Sequence, residues 1–478
     1  MYRSSLRWTV FACHTWQVFL LCLLAGCSIC WFNTVCFVLC IRNFTVNRAV
    51  ALSLTISFNG VSAALYTLAV NAISSADETL YLLLNAILPV LASVAALIPI
   101  LRQLPTASAA SRRDSLVFGF LYALALFTGL NLLLLNSLSS SSTLAARLLF
   151  TAALLLLALP LVVPGIVIAR SWAHRNIYSS FNAVGENEEE GEDEELRKEL
   201  VNENGGRGGG DGEVVRMVGE EHTVRMVIGR LDFWLYYLAY FCGGTMGIVY
   251  SNNLGQIAQS LGFTSDSLVT LYSLCSFFGR LLSAAPDFLP LRFYFARTGW
   301  LALALVLTPA SLFLLAATPG GYGLRGGTAM IGLSSGFIFA AATSITSELF
   351  GPNSFGVNHN ILITNIPLGS LIYGSLAALI YDANGSSTTG ENISLADAVV
   401  CMGRQCYRET FVLWGCISVV GLAASLVLFL RTRSAYNRFE PKRMLTPWPT
   451  EEYDAFIKLK GDEEGQARLI VSRGFRSD

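Results

Sequence analysis

Long blocks of apolar residues, separated by short polar stretches, run through most of this sequence. A helix needs about 20 apolar residues to cross a bilayer core about 30 Å thick, and about eleven blocks reach that length. The blocks lack period-two alternation and are roughly twice the length of a barrel strand, which excludes a transmembrane β-barrel. The sequence therefore predicts an all-α membrane protein with spans at about 16–40, 49–73, 79–101, 115–138, 146–169, 233–254, 266–288, 298–317, 327–349, 359–382 and 411–431.

Composition agrees with a membrane location for this chain of 478 residues. Hydrophobic residues make up 53% of the chain, charged residues make up 14%, and the mean hydropathy is +0.54. Soluble proteins carry about 25% charged residues. The formal net charge of −1 leaves no basic surplus to neutralise phosphates, so the lipid bilayer is an expected partner and a nucleic acid is not.

Arginines in the short loops predict the orientation of the chain. Lysine and arginine accumulate in the cytosolic loops of membrane proteins. Most of the arginines between spans lie on one side of the predicted membrane, and the tail 432–478 begins on that same side. This side is therefore predicted to be cytosolic and to include the C-terminus, while the plasma membrane and an endomembrane fit equally well. The loops on this side carry Arg42, Arg48, Arg102, Arg112, Arg113, Arg292 and Arg297.

A long hydrophilic insertion, residues 170–231, divides the predicted spans into two groups. It contains the acidic run "GENEEEGEDEEL" and the glycine-rich run "NGGRGGGDGE". Neither run can bury a core, so the insertion is predicted to be a disordered cytosolic loop. Two interpretations stay open: a regulatory or partner-binding loop, and a solvated tether between two membrane halves.

Asparagines within or at the ends of the predicted spans are candidates for function. Polar side chains are unfavourable in lipid, so they mark either hydrogen bonds between helices or a polar path. Each asparagine alone fits a hydrogen bond between helices, whereas the set favours a substrate path. The set consists of Asn33, Asn59, Asn252, Asn253 and Asn365.

The loop between the last two spans lies on the predicted outer side and has two notable features. Its sequence "CMGRQC" places Cys401 and Cys406 where a disulfide fits an oxidising compartment. It also holds candidate N-glycosylation sites at Asn384 and Asn392. Both features fit an outer location.

No motif in the sequence indicates an enzyme, a cofactor or a metal site. The sequence contains no G-x-S-x-G, H-E-x-x-H or P-loop pattern. Cys27 and Cys30 have metal-ligand spacing, but they lie in an apolar block with no histidine nearby. The chain is therefore expected not to be an enzyme and to bind neither a cofactor nor a metal.

Several stretches resemble the plant nodulin-like branch of the major facilitator superfamily, which includes the nuclear-fusion-defective-like proteins. The likeness covers nearly all of the membrane part but not the acidic insertion. The matching stretches include "FNTVCFVLCIRNFTVNRAVAL" (32–52), "DFWLYYLAYFCGGTMGIVYSNNLGQIAQSLGF" (232–263), "FFGRLLSAAPDF" (277–288), "SELFGPNSFGVNHN" (347–360) and "CMGRQCYRETF" (401–411).

This resemblance implies two six-helix bundles, two linking helices and alternating access around a central cavity. The chain would then lack the family's first three helices. Residues 1–169 are expected to form an incomplete N-terminal bundle, with Asn33 or Asn59 exposed in an open groove, plus the linking helices. Residues 232–431 are expected to form the C-terminal bundle. The implied function is a secondary transporter of a small polar or anionic solute; the alternatives are a non-transporting scaffold or receptor, and an inactive truncated paralogue.

The stretch "FFGRLLSAAPDF" is similar to a superfamily loop motif that latches the two bundles together. In this interpretation Gly279, Arg280 and Asp287 form the motif, and the partner of Asp287 is Arg48 at the start of the second span. The positive end of that helix dipole would also favour a carboxylate. The alternative is that Arg280 and Asp287 only extend towards lipid headgroups.

Overall fold

The computed structural model describes residues 15–44, 47–73, 78–101, 112–139, 143–173, 220–263, 265–288, 295–318, 320–386 and 401–444, and its regular elements there are all helical. The all-α prediction is confirmed. The elements are α1 Thr15–Asn43, α2 Arg48–Ile73, α3 Glu78–Leu101, α4 Arg112–Ser139, α5 Thr143–Ala173, α6 Val224–Ile228, α7 Leu231–Ala239, a π turn Tyr240–Gly244, α8 Thr245–Ser260, α9 Ser265–Leu282, α10 Ala285–Phe288, α11 Arg297–Ala317, α12 Gly321–Phe350, α13 Phe355–Ile363, α14 Asn365–Ser386 and α15 Gln405–Met444.

Eight stretches of the described residues are long and apolar enough to cross a membrane. The other predicted spans correspond to two shorter apolar helices, Arg147–Pro160 and Ser267–Leu282, and to the run 231–260, which the π turn interrupts. The chain is thus a multi-pass membrane protein. The eight stretches are Phe19–Asn43, Arg48–Ile73, Thr79–Leu97, Leu116–Leu133, Arg297–Ala317, Gly321–Phe350, Phe355–Gly385 and Gln405–Tyr436.

The chain divides into two compact units. The larger comprises Met1–Phe150 and Met217–Asp478, and the smaller comprises Thr151–Arg216, whose described part is the second portion of α5. Within the larger unit, α1 to α4 form what we call the N-terminal half. Residues from 220 onwards, with α6 to α15, form the C-terminal half.

Glycines bring α9 and α12 into close contact within the C-terminal half. A Cβ on Gly279 would lie 2.0 Å from the Leu333 carbonyl oxygen, and a Cβ on Gly336 would lie 2.0 Å from the Ser276 carbonyl oxygen. Small residues allow helix backbones to approach in this way. Gly279, predicted to belong to a latch motif, therefore packs α9 against α12.

Burial is uneven in the N-terminal half. About two thirds (65%) of the most apolar window of α2 is buried, whereas none of the corresponding window of α3 is. Asn33 on α1 is half-buried and Asn59 on α2 is exposed. Helix α2 therefore carries most of the packing of this half.

Two irregular turns lie beside each other in the C-terminal half. Tyr240–Gly244 forms the π turn between α7 and α8, and Thr364 interrupts the run from α13 to α14. Pro367 explains the second interruption because it has no N–H to donate to the carbonyl of residue 363. Thr245 donates a hydrogen bond of 3.2 Å to Asn365, which joins the two turns.

The C-terminal end of the predicted loop 170–231 contains a short helix. Residues 220–230 include α6, in which Val227 is fully buried. The neighbouring acidic and glycine-rich runs concealed this short segment in the sequence. Helix α15 extends to Met444 and so includes the start of the predicted tail 432–478. Thr432 and Tyr436 are buried there, and Thr432 shares a hydrogen bond of 2.9 Å with Thr298.

Candidate functional site

The two halves meet along a surface that we call the seam, where α1, α2 and α4 contact α9, α12 and α13. On α2, Ser53, Ser57 and Gly60 have helical spacing and present a face of small residues to α9. The Ser53 hydroxyl donates to the Arg280 carbonyl oxygen at 2.6 Å. A Cβ on Gly60 would lie 2.8 Å from the backbone of Phe277, so the two helix backbones nearly touch.

Arg280 crosses this seam with its side chain. Its Nη1 donates to the Ile56 carbonyl oxygen of α2 at 3.1 Å, while its Nε has no hydrogen-bond partner among the described residues. The ion pairs found in the described part of the chain do not include Arg280. Charged side chains within apolar helices are unfavourable, so Arg280 is a candidate for a functional role.

Helix α4 closes on the same part of α9. The Tyr122 hydroxyl donates to the Leu281 carbonyl oxygen, and the Tyr122 ring lies 5.3 Å from the ring of Phe288. Gly129 leaves room for Phe277, whose ring would lie 2.3 Å from an added Cβ. Helices α2 and α4 of the N-terminal half therefore both pack against the last two turns of α9.

A second part of the seam joins α1 to α13. The Thr34 hydroxyl donates to Asn360 Oδ1 at 3.1 Å, and the rings of Phe37 and His359 lie 5.9 Å apart. His359 also stacks on Phe355 at 4.9 Å. Around these rings lies one buried apolar cluster, formed by Phe37, Ile41, Leu52, Ile56, Ala340 and Phe355.

Three charged side chains form a compact group beside the seam, which we call the Arg297 cluster. Arg297 Nε donates to Glu348 at 2.7 Å, and Arg297 Nη2 donates to Asp287. The side chains of Arg297, Asp287 and Glu348 are 10%, 16% and 9% exposed, so water screens them little. Because Arg297 begins α11, the positive end of that helix dipole also favours both carboxylates.

The Arg297 cluster lies at what we call the basic end of the bundle, where α1 ends and α2 begins. It ties α10, α11 and α12 to one another. Asp287, predicted as the latch carboxylate, thus has a partner within its own half. Arg48 is the first residue of α2. Its approach to Asp287 stays a prediction.

The asparagines predicted to line a path fall into separate places. Asn59 Nδ2 donates to Asn33 Oδ1 at 3.4 Å on the N-terminal side, and Asn253 Nδ2 donates to a carbonyl of its own helix. Asn252 is exposed, whereas Asn365 is fully buried. The Asn365 amide nitrogen has no hydrogen-bond partner in the described part of the chain, which leaves a buried donor beside the π turn.

At the opposite end, Cys401 and Cys406 form a disulfide within a short segment that we call the clasp, residues 401–406. Gly403 N donates to the Ser260 carbonyl oxygen at 2.8 Å, and the Tyr381 hydroxyl bonds to Cys401. The clasp thereby joins the ends of α8, α14 and α15 that lie opposite the basic end. Arg404 adds α11 by donating to the carbonyls of Ala316 and Ala317.

Of the candidate glycosylation sites, Asn384 lies in the last turn of α14 and Asn392 lies outside the described residues. The described part of the chain contains no group of three or more His, Cys, Asp and Glu side chains placed to hold a metal ion.

The sequence did not single out Arg297, Glu348 or His359 as site residues. Arg297 and Glu348 stand at the ends of successive apolar blocks on one side of the membrane, so pairing the charges on that side would have suggested their contact. Nothing in the sequence pattern indicates that His359 faces α1.

Comparison with known proteins identifies the chain's relatives. The family model described as Nodulin-like matches residues 6–165, and the model described as NFD4, C-terminal domain, matches residues 216–438. The protein NUCLEAR FUSION DEFECTIVE 4 of Arabidopsis thaliana is 55% identical over 439 residues, which is 89% of this chain and 74% of that protein.

Two yeast proteins are more distant relatives. The probable transporter MCH1 of Wickerhamomyces anomalus is 26% identical over 182 residues, covering 35% of this chain and 36% of the relative. The protein of the same name from Yarrowia lipolytica is 27% identical over 210 residues, covering 41% of each.

The helical architecture and these relatives define an α-helical multi-pass membrane protein of the major facilitator type. Within that class, the chain belongs to the nodulin-like family that includes NUCLEAR FUSION DEFECTIVE 4.

Proposed function

We propose that this protein is a secondary carrier that moves a small polar or anionic solute by alternating access. The observation that carries the proposal is the seam. At the seam, the N-terminal half contacts the C-terminal half through side-chain hydrogen bonds and ring contacts, such as Thr34 with Asn360 and Phe37 with His359. Such contacts can separate without disrupting any helix, as rocking of two bundles requires. The name of the yeast relatives, probable transporter, agrees with this function.

Arg280 supports an anionic solute. Its guanidinium lies between the halves, and a backbone carbonyl is its hydrogen-bond acceptor there. A guanidinium can bind a carboxylate or phosphate through two parallel hydrogen bonds, and a carbonyl offers no compensating charge. An anion that reaches the opened seam would therefore compete for Arg280. In this mechanism Arg280 holds the seam when the cavity is empty and binds the solute when it arrives.

The orientation belongs to the same proposal. The basic end, with Arg42, Arg48 and Arg297, is assigned to the cytosol, and the clasp is assigned to the outer side. The seam contacts would then close the cytosolic entrance.

The experiment is solute uptake into proteoliposomes containing the purified full chain. The probes are inorganic phosphate, nitrate and a panel of mono- and dicarboxylates, tested with and without a pH gradient. Cysteines placed at 34 and 360 should abolish uptake when oxidised, and a reductant should restore it. Arg280→Gln should abolish uptake of the anion, whereas Arg280→Lys should retain part of it.

Two results would contradict the proposal. If the oxidised 34–360 chain transports as well as the reduced one, the seam is not a gate. If no probe enters or exchanges, the chain is better explained as a non-transporting scaffold or receptor.

A further inference from the structure

Residues 220–223, which we call the strap, connect the hydrophilic insertion to the C-terminal half. They follow the glycine-rich run 204–213 after six further residues and precede α6. His222 is fully buried although the strap comes from the most hydrophilic part of the chain. A buried segment at this position needs specific partners, and it has them on the turn between α12 and α13.

The Glu221 carboxylate binds the turn that begins α13. Its Oε1 accepts the backbone N–H of Asn353 at 2.8 Å, and its Oε2 accepts that of Ser354 at 3.0 Å. Ser354, the N-cap residue of α13, makes no capping hydrogen bond with its own side chain. A carboxylate at a helix start satisfies free N–H groups and matches the positive end of the helix dipole. Glu221 therefore acts as a cap supplied from a distant part of the chain.

His222 and Gly351 fix the strap in register with this turn. His222 N donates to the Phe350 carbonyl oxygen at 3.1 Å, and Asn358 Nδ2 donates to the His222 carbonyl oxygen at 3.1 Å. Gly351 has a φ of +92°, and an added Cβ would lie 2.6 Å from the Glu221 carboxylate. The turn thus has the conformation and the space that the strap requires.

The helix that the strap caps is also the helix that closes the seam. Phe355, at the first position of α13, is buried in the cluster shared with Phe37 of α1. One turn further on, His359 and Asn360 contact Phe37 and Thr34. A change in how the strap holds the start of α13 is therefore transmitted to the contacts between the halves.

We propose that the strap is an autoinhibitory contact through which the cytosolic insertion holds the seam closed. Release of Glu221 frees the start of α13 and favours separation of α13 from α1. A partner bound to the insertion, or tension on it, would regulate the seam in this way. The proposal goes beyond the transport function and does not require a solute.

The test measures the seam directly by disulfide crosslinking of cysteines at 34 and 360 in the full-length chain. The other free cysteines are replaced, and Cys401 and Cys406 are kept. Glu221→Ala should lower the crosslinking yield about fivefold, as expected for loss of a helix cap. Glu221→Gln keeps one acceptor oxygen, so its crosslinking yield should lie between that of Glu221→Ala and that of the parent chain. The matched control is Glu220→Ala, since the Glu220 side chain is exposed at the neighbouring position.

A second arm tests regulation through the insertion. An epitope replaces part of the run 205–212, and a Fab fragment against it is added before oxidation. Bound Fab should lower the yield in the chain with Glu221 and have no effect in Glu221→Ala. Size-exclusion profiles in detergent identify variants that fail to fold; for these, the Fab arm on the parent chain decides.

Equal yields for Glu221→Ala and Glu220→Ala in folded protein would overturn the proposal, as would a Fab without effect on the parent chain. Because crosslinking needs no transport, a strap effect without uptake would refute the carrier function alone. Uptake without a strap effect would refute the strap alone.

Discussion

Arg297 Nε lies 2.7 Å from Glu348 Oε1, although one residue begins α11 and the other stands near the end of α12. With Asp287 as its second partner, Arg297 joins three elements that are separate in sequence. Both pairs are largely shielded from water, so their contribution differs from that of an ordinary surface ion pair.

Arg297→Gln should destabilise the protein by about 3–5 kcal/mol, because it removes the cation from two carboxylates that are largely shielded from water. Adding Asp287→Asn and Glu348→Gln to it should recover part of that loss. The matched control is Arg431→Gln. Arg431 pairs with Asp232, and its side chain is 47% exposed. That control should cost about 1 kcal/mol or less. Thermal unfolding in detergent measures all of these variants, and equal losses for Arg297→Gln and Arg431→Gln would contradict the assignment.

The latch interpretation predicts that Asp287 approaches Arg48 or the first turn of α2 when the seam is closed. Cysteines at 48 and 287 should then crosslink in the closed state and not when the basic end opens. The 34–360 pair serves as an internal measure of the closed state, since its side chains are in contact. If the 34–360 pair crosslinks and the 48–287 pair never does, the latch interpretation is wrong.

Gly279→Ala should destabilise the contact between α9 and α12. The added methyl group would lie 2.0 Å from a backbone carbonyl oxygen, which cannot move as a flexible side chain does. Overpacking of this kind costs about 1–3 kcal/mol. Gly374→Ala is the control, because nothing lies within 4 Å of an added Cβ there. Similar unfolding temperatures for the two variants would show that α9 shifts without cost.

Replacing Cys401 and Cys406 by serine should lower stability by about 2 kcal/mol, the value expected for a loop this short. In the native chain, Cys401 and Cys406 should not be alkylated until a reductant is added. Mass spectrometry measures the alkylated fraction of each cysteine. Alkylation of the native chain without reductant would show that the disulfide is absent. Cys416, which is a free thiol, is the positive control for alkylation in the denatured chain.

Asn384 and Asn392 are predicted to face the outer side, with the insertion and the tail 432–478 in the cytosol. Endoglycosidase treatment should increase gel mobility, and Asn384→Gln with Asn392→Gln should remove that shift. A protease added to sealed cytosol-side-out vesicles should cut the insertion. Glycosylation at Asn43, on the opposite side of the predicted membrane, would contradict this orientation.

The helices could be predicted from the sequence because hydropathy is a property of a continuous stretch. The partners of single side chains could not. The contacts of Arg297 depend on which helices are neighbours, and the separate positions of Asn33 and Asn365 depend on how each helix is rotated. The strap escaped prediction for another reason. His222 is buried by partners more than a hundred residues away, while the residues directly beside it, Glu221 and Thr223, are polar.

The two irregular turns beside Asn365 are places where the helices of the C-terminal half can bend. Regular backbone hydrogen bonding is interrupted at the π turn and again at Thr364, and the hydrogen bond from Thr245 to Asn365 holds the two turns side by side. At the end opposite the basic end, the clasp links the helix ends to one another. Bending at these two turns is therefore expected to move the basic end while the end that carries the clasp stays in place. A small change of angle at mid-membrane would become a displacement of several ångströms at the seam, since each further turn of helix adds about 5.4 Å to the lever arm.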